Sequence, residues 1–125
     1  MARTLSNPTI EVNDEIIAIV PNSLSFKEGI GDKNVRSQSA GGNSVDPVIT
    51  ENAETKIGMC KFKLYNTAVS LALATDWTNR FGSSIRIYEQ DFNISFRDMV
   101  VTTEPERLIG ADGDLEIEWM GRPSQ

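Results

Sequence analysis

Four stretches of this chain alternate apolar and polar side chains with a period of two, and that period restricts them to half-buried β-strands. Within Lys56 to Tyr65, Cys60, Phe62 and Leu64 share one face while Lys61 and Lys63 share the other. Ile85 and Ile87 alternate with Arg86 and Tyr88. After a turn at Glu89-Gln90-Asp91, Phe92, Ile94 and Phe96 alternate with Asn93, Ser95 and Arg97, which reads as a hairpin. A last strand points Leu115, Ile117 and Trp119 inward and Glu116 and Glu118 outward, after Thr102 to Arg107 and a tight Gly110-Ala111-Asp112-Gly113 turn. Near the start, Ile16, Ile17, Ile19 and Val20 form a β-branched run stopped by Pro21-Asn22, and Leu24 and Phe26 follow on a second short strand.

One segment departs from this period. Asn66 or Thr67 can cap a helix over Ala68 to Arg80, where Val69, Leu73 and Trp77 recur at helical spacing, Leu71 and Ala72 widen the stripe, and Gly82 stops it. Strands, one helix, then strands predict a mainly β fold: an antiparallel β-sandwich or barrel with one flanking α-helix. At 125 residues the chain has the length of a single domain. Residues 1–13, with Pro8 and little apolar content, read as an N-terminal arm that needs a neighbour to be ordered. Residues 14–120 read as the domain, and 121–125 as a C-terminal tail.

Between the strands lies Gly31 to Glu54 (GDKNVRSQSAGGNSVDPVITENAE), long, polar and glycine-rich. Loops beyond about 12–15 residues are uncommon in small domains and usually serve a function or are disordered. A loop or hairpin of this length is expected to act on something outside the chain's own core. Gly41-Gly42 gives its tip backbone angles that other residues avoid, and Ser37, Gln38, Ser39, Asn43 and Ser44 supply adaptable hydrogen-bonding groups.

The formal charge of −6 argues against gripping a nucleic-acid backbone. Most of it is regional: residues 84–125 hold nine acids against four arginines, a balance of −5. With one cysteine, Cys60, no internal disulfide can form, and the expected environment is a cytoplasm. The first residues lack an apolar core segment and no later run approaches a membrane span, so neither export nor membrane anchoring is expected; Asn93-Ile94-Ser95 then reads as a chance sequon.

Catalysis has little to work with. There is no histidine to act as a base near neutral pH or to ligate a transition metal. Cys60 reads as a small buried hydrophobe, and Glu116 and Glu118 as a solvated outer face and not as an acid/base pair. Asp112 and Asp114 lack the further oxygen ligands of a calcium loop. Gly29-Ile30-Gly31 lacks the third glycine and the βαβ setting of a dinucleotide site. Trp77 and Trp119 fall on apolar faces and read as core. No enzyme activity, metal or cofactor is expected.

Val35-Arg36-Ser37-Gln38-Ser39-Ala40-Gly41-Gly42-Asn43-Ser44-Val45, then Thr50-Glu51-Asn52-Ala53-Glu54-Thr55 and Lys61-Phe62-Lys63-Leu64-Tyr65-Asn66-Thr67, resemble the tail tube protein family of contractile-tailed bacteriophages. Ile19-Val20-Pro21-Asn22-Ser23-Leu24-Ser25-Phe26 looks like that family's opening strands, and Leu108-Ile109-Gly110-Ala111-Asp112 like its close. The resemblance runs from about Glu15 to Trp119, with Asn43 and Pro47 departing from the usual motif.

The resemblance implies a structural virion protein: a β-sandwich with one flanking helix, six copies closing into a ring, and rings stacking into a hollow tube inside a contractile sheath. DNA would pass through the lumen without specific binding. Implied partners are other copies of the chain, the tail sheath protein, baseplate and tail terminator proteins, and a tape measure protein in the lumen. Assembly would take place in the host bacterial cytoplasm.

In such a tube the long segment reaches a neighbouring ring, which makes Val35, Arg36, Ser37, Gln38, Ser39, Gly41, Gly42, Asn43 and Ser44 the contact candidates. An acidic lumen would repel phosphate and let a duplex slide. Asp46, Glu51, Glu89 and Asp91 are the lumen candidates. The nearest alternative is the tube of a tailocin or a type VI secretion-like particle. From other classes come a monomeric β-sandwich module whose long loop grips a ligand and, ranked third, a small hydrolase using acidic residues.

Overall fold

A computed structural model describes residues 7–39, 45–107, 110 and 113–124 of the chain. In chain order the elements are β1 (Thr9–Val12), β2 (Glu15–Ile17), β3 (Ser25–Lys27), β4 (Asp32–Ser39), β5 (Val45–Asn52), a 3₁₀ turn (Ala53–Thr55), β6 (Gly58–Tyr65), α1 (Ala68–Asn79), β7 (Ser83–Glu89), β8 (Phe92–Val101) and β9 (Asp114–Gly121). The fold is mainly β and antiparallel with a single helix. Seven strands form one sheet in the order β2-β1-β7-β8-β9-β6-β3, while β4 and β5 pair only with each other.

Alternation explains the sheet. β6 buries Gly58, Cys60, Phe62 and Leu64, and β9 buries Leu115, Ile117 and Trp119. Paired in register, these two strands set Cys60 opposite Trp119, Phe62 opposite Ile117 and Leu64 opposite Leu115. Across β7 and β8, Ile85 faces Phe96 and Ile87 faces Ile94. Each such side chain, taken fully out of water, contributes roughly 1.5–3 kcal/mol.

β8 changes phase midway. Ile94 and Phe96 are buried, Arg97 and Asp98 are exposed, and Met99 and Val101 are buried again. The register with β7 slips by one residue there, and Asp98 has φ 52°. This bulge bends the strand, so that β8 pairs with β7 through its first part and with β9 at Val100 and Val101.

The sheet coils as a result. Phe26 on β3, at the far edge, has its ring 5.8 Å from that of Phe92 and meets Phe96 edge-on at 6.3 Å, both on β8. The barrel expected as one option does not form: the sheet is not closed, and among the described residues β2 and β3 are its edges.

The helix starts where Thr67 caps it, its hydroxyl accepting the Ser70 N–H. Trp77 drives the docking: its ring lies 6.1 Å from Phe62 and 5.4 Å from Trp119. The buried stripe is Ser70, Ala74 and Trp77, which corrects the expected Val69, Leu73 and Trp77. Small side chains at positions 70 and 74 let the helix backbone approach the sheet, and that rotation turns Val69 out to 71% exposure and leaves Ala72 in solvent. Leu71 and Leu73 flank the contact, partly buried.

Two further expectations change. Residues 9–12, assigned to an N-terminal arm, form β1 between β2 and β7 with Ile10 and Val12 at 1% exposure, because a sheet supplies the neighbour that so short a strand needs. In the segment assigned to a C-terminal tail, Arg122 N–H donates to Arg97 O (3.3 Å) and Ser124 N–H to Glu28 O (2.7 Å). The strand expected to run to Val20 stops at Ile17. Val20 instead donates its N–H to Lys63 O, and Asn22, at φ 63°, turns the chain.

Candidate functional site

The Gly31 to Glu54 segment is a β-hairpin over its described residues. Eight residue pairs join β4 and β5, from Asp32 opposite Asn52 to Ser39 opposite Val45. A two-stranded hairpin is marginal in water without something to pack against. This one has no extensive packing against the seven-stranded sheet or α1 among the described residues; residues 32–37 and 46–51 are exposed, and Asn52 is half-shielded.

Its two faces differ. Pairing places Lys33 and Glu51, Val35 and Ile49, and Ser37 and Pro47 on one side. Val35 is 65% and Ile49 63% exposed, so this side presents an uncovered apolar pair. Asn34 with Thr50 and Arg36 with Val48 make the other side largely polar.

The base of the hairpin is anchored by one hydroxyl. Thr55 Oγ1 accepts the Asp32 N–H at 2.6 Å and donates to Asn52 O at 2.7 Å, bridging both strands. Asn52 Oδ1 accepts the Glu54 N–H. Gly29 (φ 91°) and Gly31 (φ 90°) turn the chain into β4 at angles a side chain would strain. Lys56 Nζ lies 2.7 Å from Glu51 Oε2, and that hydrogen bond holds the Glu51 carboxyl below the usual range, with attraction to Lys56 and Lys33 in the same direction.

Of the contact candidates, Val35, Arg36 and Ser37 are exposed on β4, and Gln38 and Ser39 complete that strand. Gly41, Gly42, Asn43 and Ser44 lie outside the described residues. The four acidic candidates fall into two separate places. Asp46 and Glu51 sit on opposite sides of β5, Glu51 in an ion pair, whereas Glu89 and Asp91 flank the tight β7–β8 turn, where Gln90 takes φ 41°. Ile49 is not among the residues the sequence points to; a period-two reading of Val45 to Asn52 against Val35 places both on one face.

Elsewhere the chemistry is spent on structure. Lys61 Nζ lies 2.7 Å from Glu116 and 3.4 Å from Glu118 on the outer face of β6 and β9. Its hydrogen bond pulls the Glu116 carboxyl down, the reverse of the raised value a general acid needs. Burial pushes the Cys60 thiol up to about 12, which makes a thiolate nucleophile inaccessible near neutral pH. Among the described residues, no three His, Cys, Asp or Glu side chains gather as metal ligands, and no helix is long and apolar enough to cross a membrane.

The fold and the hairpin together define a mainly β, antiparallel domain that carries a projecting two-stranded arm. No protein-family model matches the chain, and no curated protein matches it.

Proposed function

We propose that this chain is a structural subunit that works by polymerising: a tail tube protein whose rings stack into the conduit for DNA inside a contractile sheath. One observation carries the reading. A hairpin of eight residue pairs leaves the domain with an uncovered apolar side at Val35 and Ile49 and no core of its own. Such an element costs conformational entropy to hold straight, and a neighbouring subunit's surface offsets that cost.

Two edges that are open among the described residues, β2 and β3, support the same reading, because edge strands left unpaired invite another chain and ring closure satisfies them without open-ended aggregation. The net charge of −6 suits a channel through which a duplex slides. In this role the protein catalyses no reaction and needs no cofactor; its partners are its own copies, the sheath protein, baseplate and terminator proteins, and a tape measure in the lumen. The tube of a tailocin or a type VI secretion-like particle uses the same mechanics, and capsid and terminase genes beside this one would distinguish a phage.

Electron microscopy of the purified protein at high concentration tests the proposal. Rings or long hollow filaments are expected, and a protein that stays monomeric would count against it. Deleting Ser37 to Ser44 shortens the arm without touching the sheet. That variant should melt like the parent and fail to stack.

A further inference from the structure

Phe81 is 94% exposed, directly after the Arg80 C-cap of α1. Such exposure of a whole phenyl ring is unusual where the same chain buries two tryptophans and Phe62 within one cluster. At the other end of the helix lies a groove of about 340 Å³ between the open edge of β2 and the first turns of α1. Ile16, Tyr65, Val69 and Leu73 line it, and the first three are exposed. A cavity of roughly 150 Å³ already holds a benzene ring, so the groove has room for a phenyl group.

We infer that Phe81 of one copy inserts into the groove at Ile16, Tyr65, Val69 and Leu73 of the next copy. Knob and groove cannot meet within one chain, since α1 sets Val69 and Asn79 ~15 Å apart at 1.5 Å per residue and Phe81 lies two residues beyond the helix end. Used one at a time, two different patches on one molecule make a heterologous contact, the kind that closes rings or extends filaments; used reciprocally, they would close a two-fold dimer instead.

Charge fits this occupant. Glu15 lines the groove, and Asp14 is exposed beside it at the β1–β2 turn. Arg80 immediately precedes the knob; its Nε lies 3.1 Å from Asp76, and a guanidinium has five donors, enough for a second carboxylate. A phenyl ring buries only about 150–250 Å², against about 800 Å² per partner in a stable interface. A stable contact therefore needs surface beyond the Phe81 anchor, and Glu15 and Ile16, exposed on β2 beside the groove, are placed to supply part of it.

This contact rests on the self-assembling role proposed above, and its test separates the two. Phe81→Asp and Val69→Asp each change an exposed side chain, and both variants should melt like the parent. Sedimentation velocity and electron microscopy across a concentration series should find that each raises the concentration for half-assembly by roughly tenfold or more. Mixed together, they should associate at a lower concentration than either alone, because the intact Phe81 of one fits the intact groove of the other, whereas extending that contact to a third copy would have to bury an aspartate.

Phe81→Ser, which adds no charge, should weaken assembly in the same direction. If both Asp variants assemble at the parental concentration, the knob serves another partner and this inference falls while the tube reading stands. A parent that never assembles overturns both.

Discussion

Gly121 on β9 lies directly against the backbone of Asp98 in the β8 bulge: a Cβ at position 121 would sit 2.5 Å from the Asp98 carbonyl oxygen and 2.7 Å from the Met99 sulfur. The carbonyl belongs to a bulged backbone that cannot swing aside as a flexible side chain would. Gly121→Ala should therefore separate β9 from β8 where the sheet bends, and cost about 1–3 kcal/mol. Thermal or urea melts measure this. Parental stability in the variant would mean that the bulge relaxes freely.

Trp77 joins the helix to β6 through Phe62 and to β9 through Trp119. Trp77→Ala should lower stability by about 3–5 kcal/mol. Val69→Ala, at a position the helical spacing assigned to the core, should stay within about 0.5 kcal/mol of the parent because that side chain is in solvent. A reversed ranking of the two in denaturant melts would mean that α1 docks through another face.

Cys60 is buried opposite Trp119, and its thiol is pushed up to about 12 by desolvation. A thiol-specific chromogenic reagent at pH 8 should leave the native protein unlabelled and react at once in denaturant. An unfolded thiol titrates near about 8.5, so between that pH and the native value the unfolded state loses a proton that the native state keeps. The stability contributed is full below the unfolded value and is lost as pH rises through this window. Relative to Cys60→Ala, the parent should lose stability progressively above pH of about 8.5; parallel curves would place the thiol in contact with water.

Lys61 bridges Glu116 and Glu118 on the solvent side of the sheet. The hydrogen bond to Lys61 keeps Glu116 protonating at lower pH than usual, so what the pair contributes is present above the unfolded carboxyl value and fades as pH falls through the native one. The Lys61→Met variant should let the Glu116 titration, followed by carboxyl carbon NMR, move back up towards the ordinary range. An unmoved titration would assign the shift to another group. High salt should weaken the effect in the parent, since both partners are about half exposed.

Much of the sheet was legible because alternation is a local property. The inward residues of β6, β7, the first part of β8, and β9 follow from reading every second side chain, and the cap at Thr67 from the helix that begins after it. Both tryptophans fall on apolar faces by the same reading, and both are buried. The bulge at Asp98 shows where that reading stops: after it the inward residues are Met99 and Val101, a phase no fixed period predicts.

What the sequence by itself determined is the alternating strands β6, β7, β8 and β9, the single helix, and the one long segment with too few apolar residues to join a core. Only the tertiary structure decided that residues 9–12 enter the sheet, that α1 turns Ser70 and Ala74 inward and Val69 outward, and that Phe81 is left in solvent. The physical reason is the same in each case. Periodicity records how a chain's own side chains line up along one element, whereas the depth and rotation at which two elements meet depend on the volumes facing across the gap, and here the bend in β8 and the bulk of Trp77 set that gap.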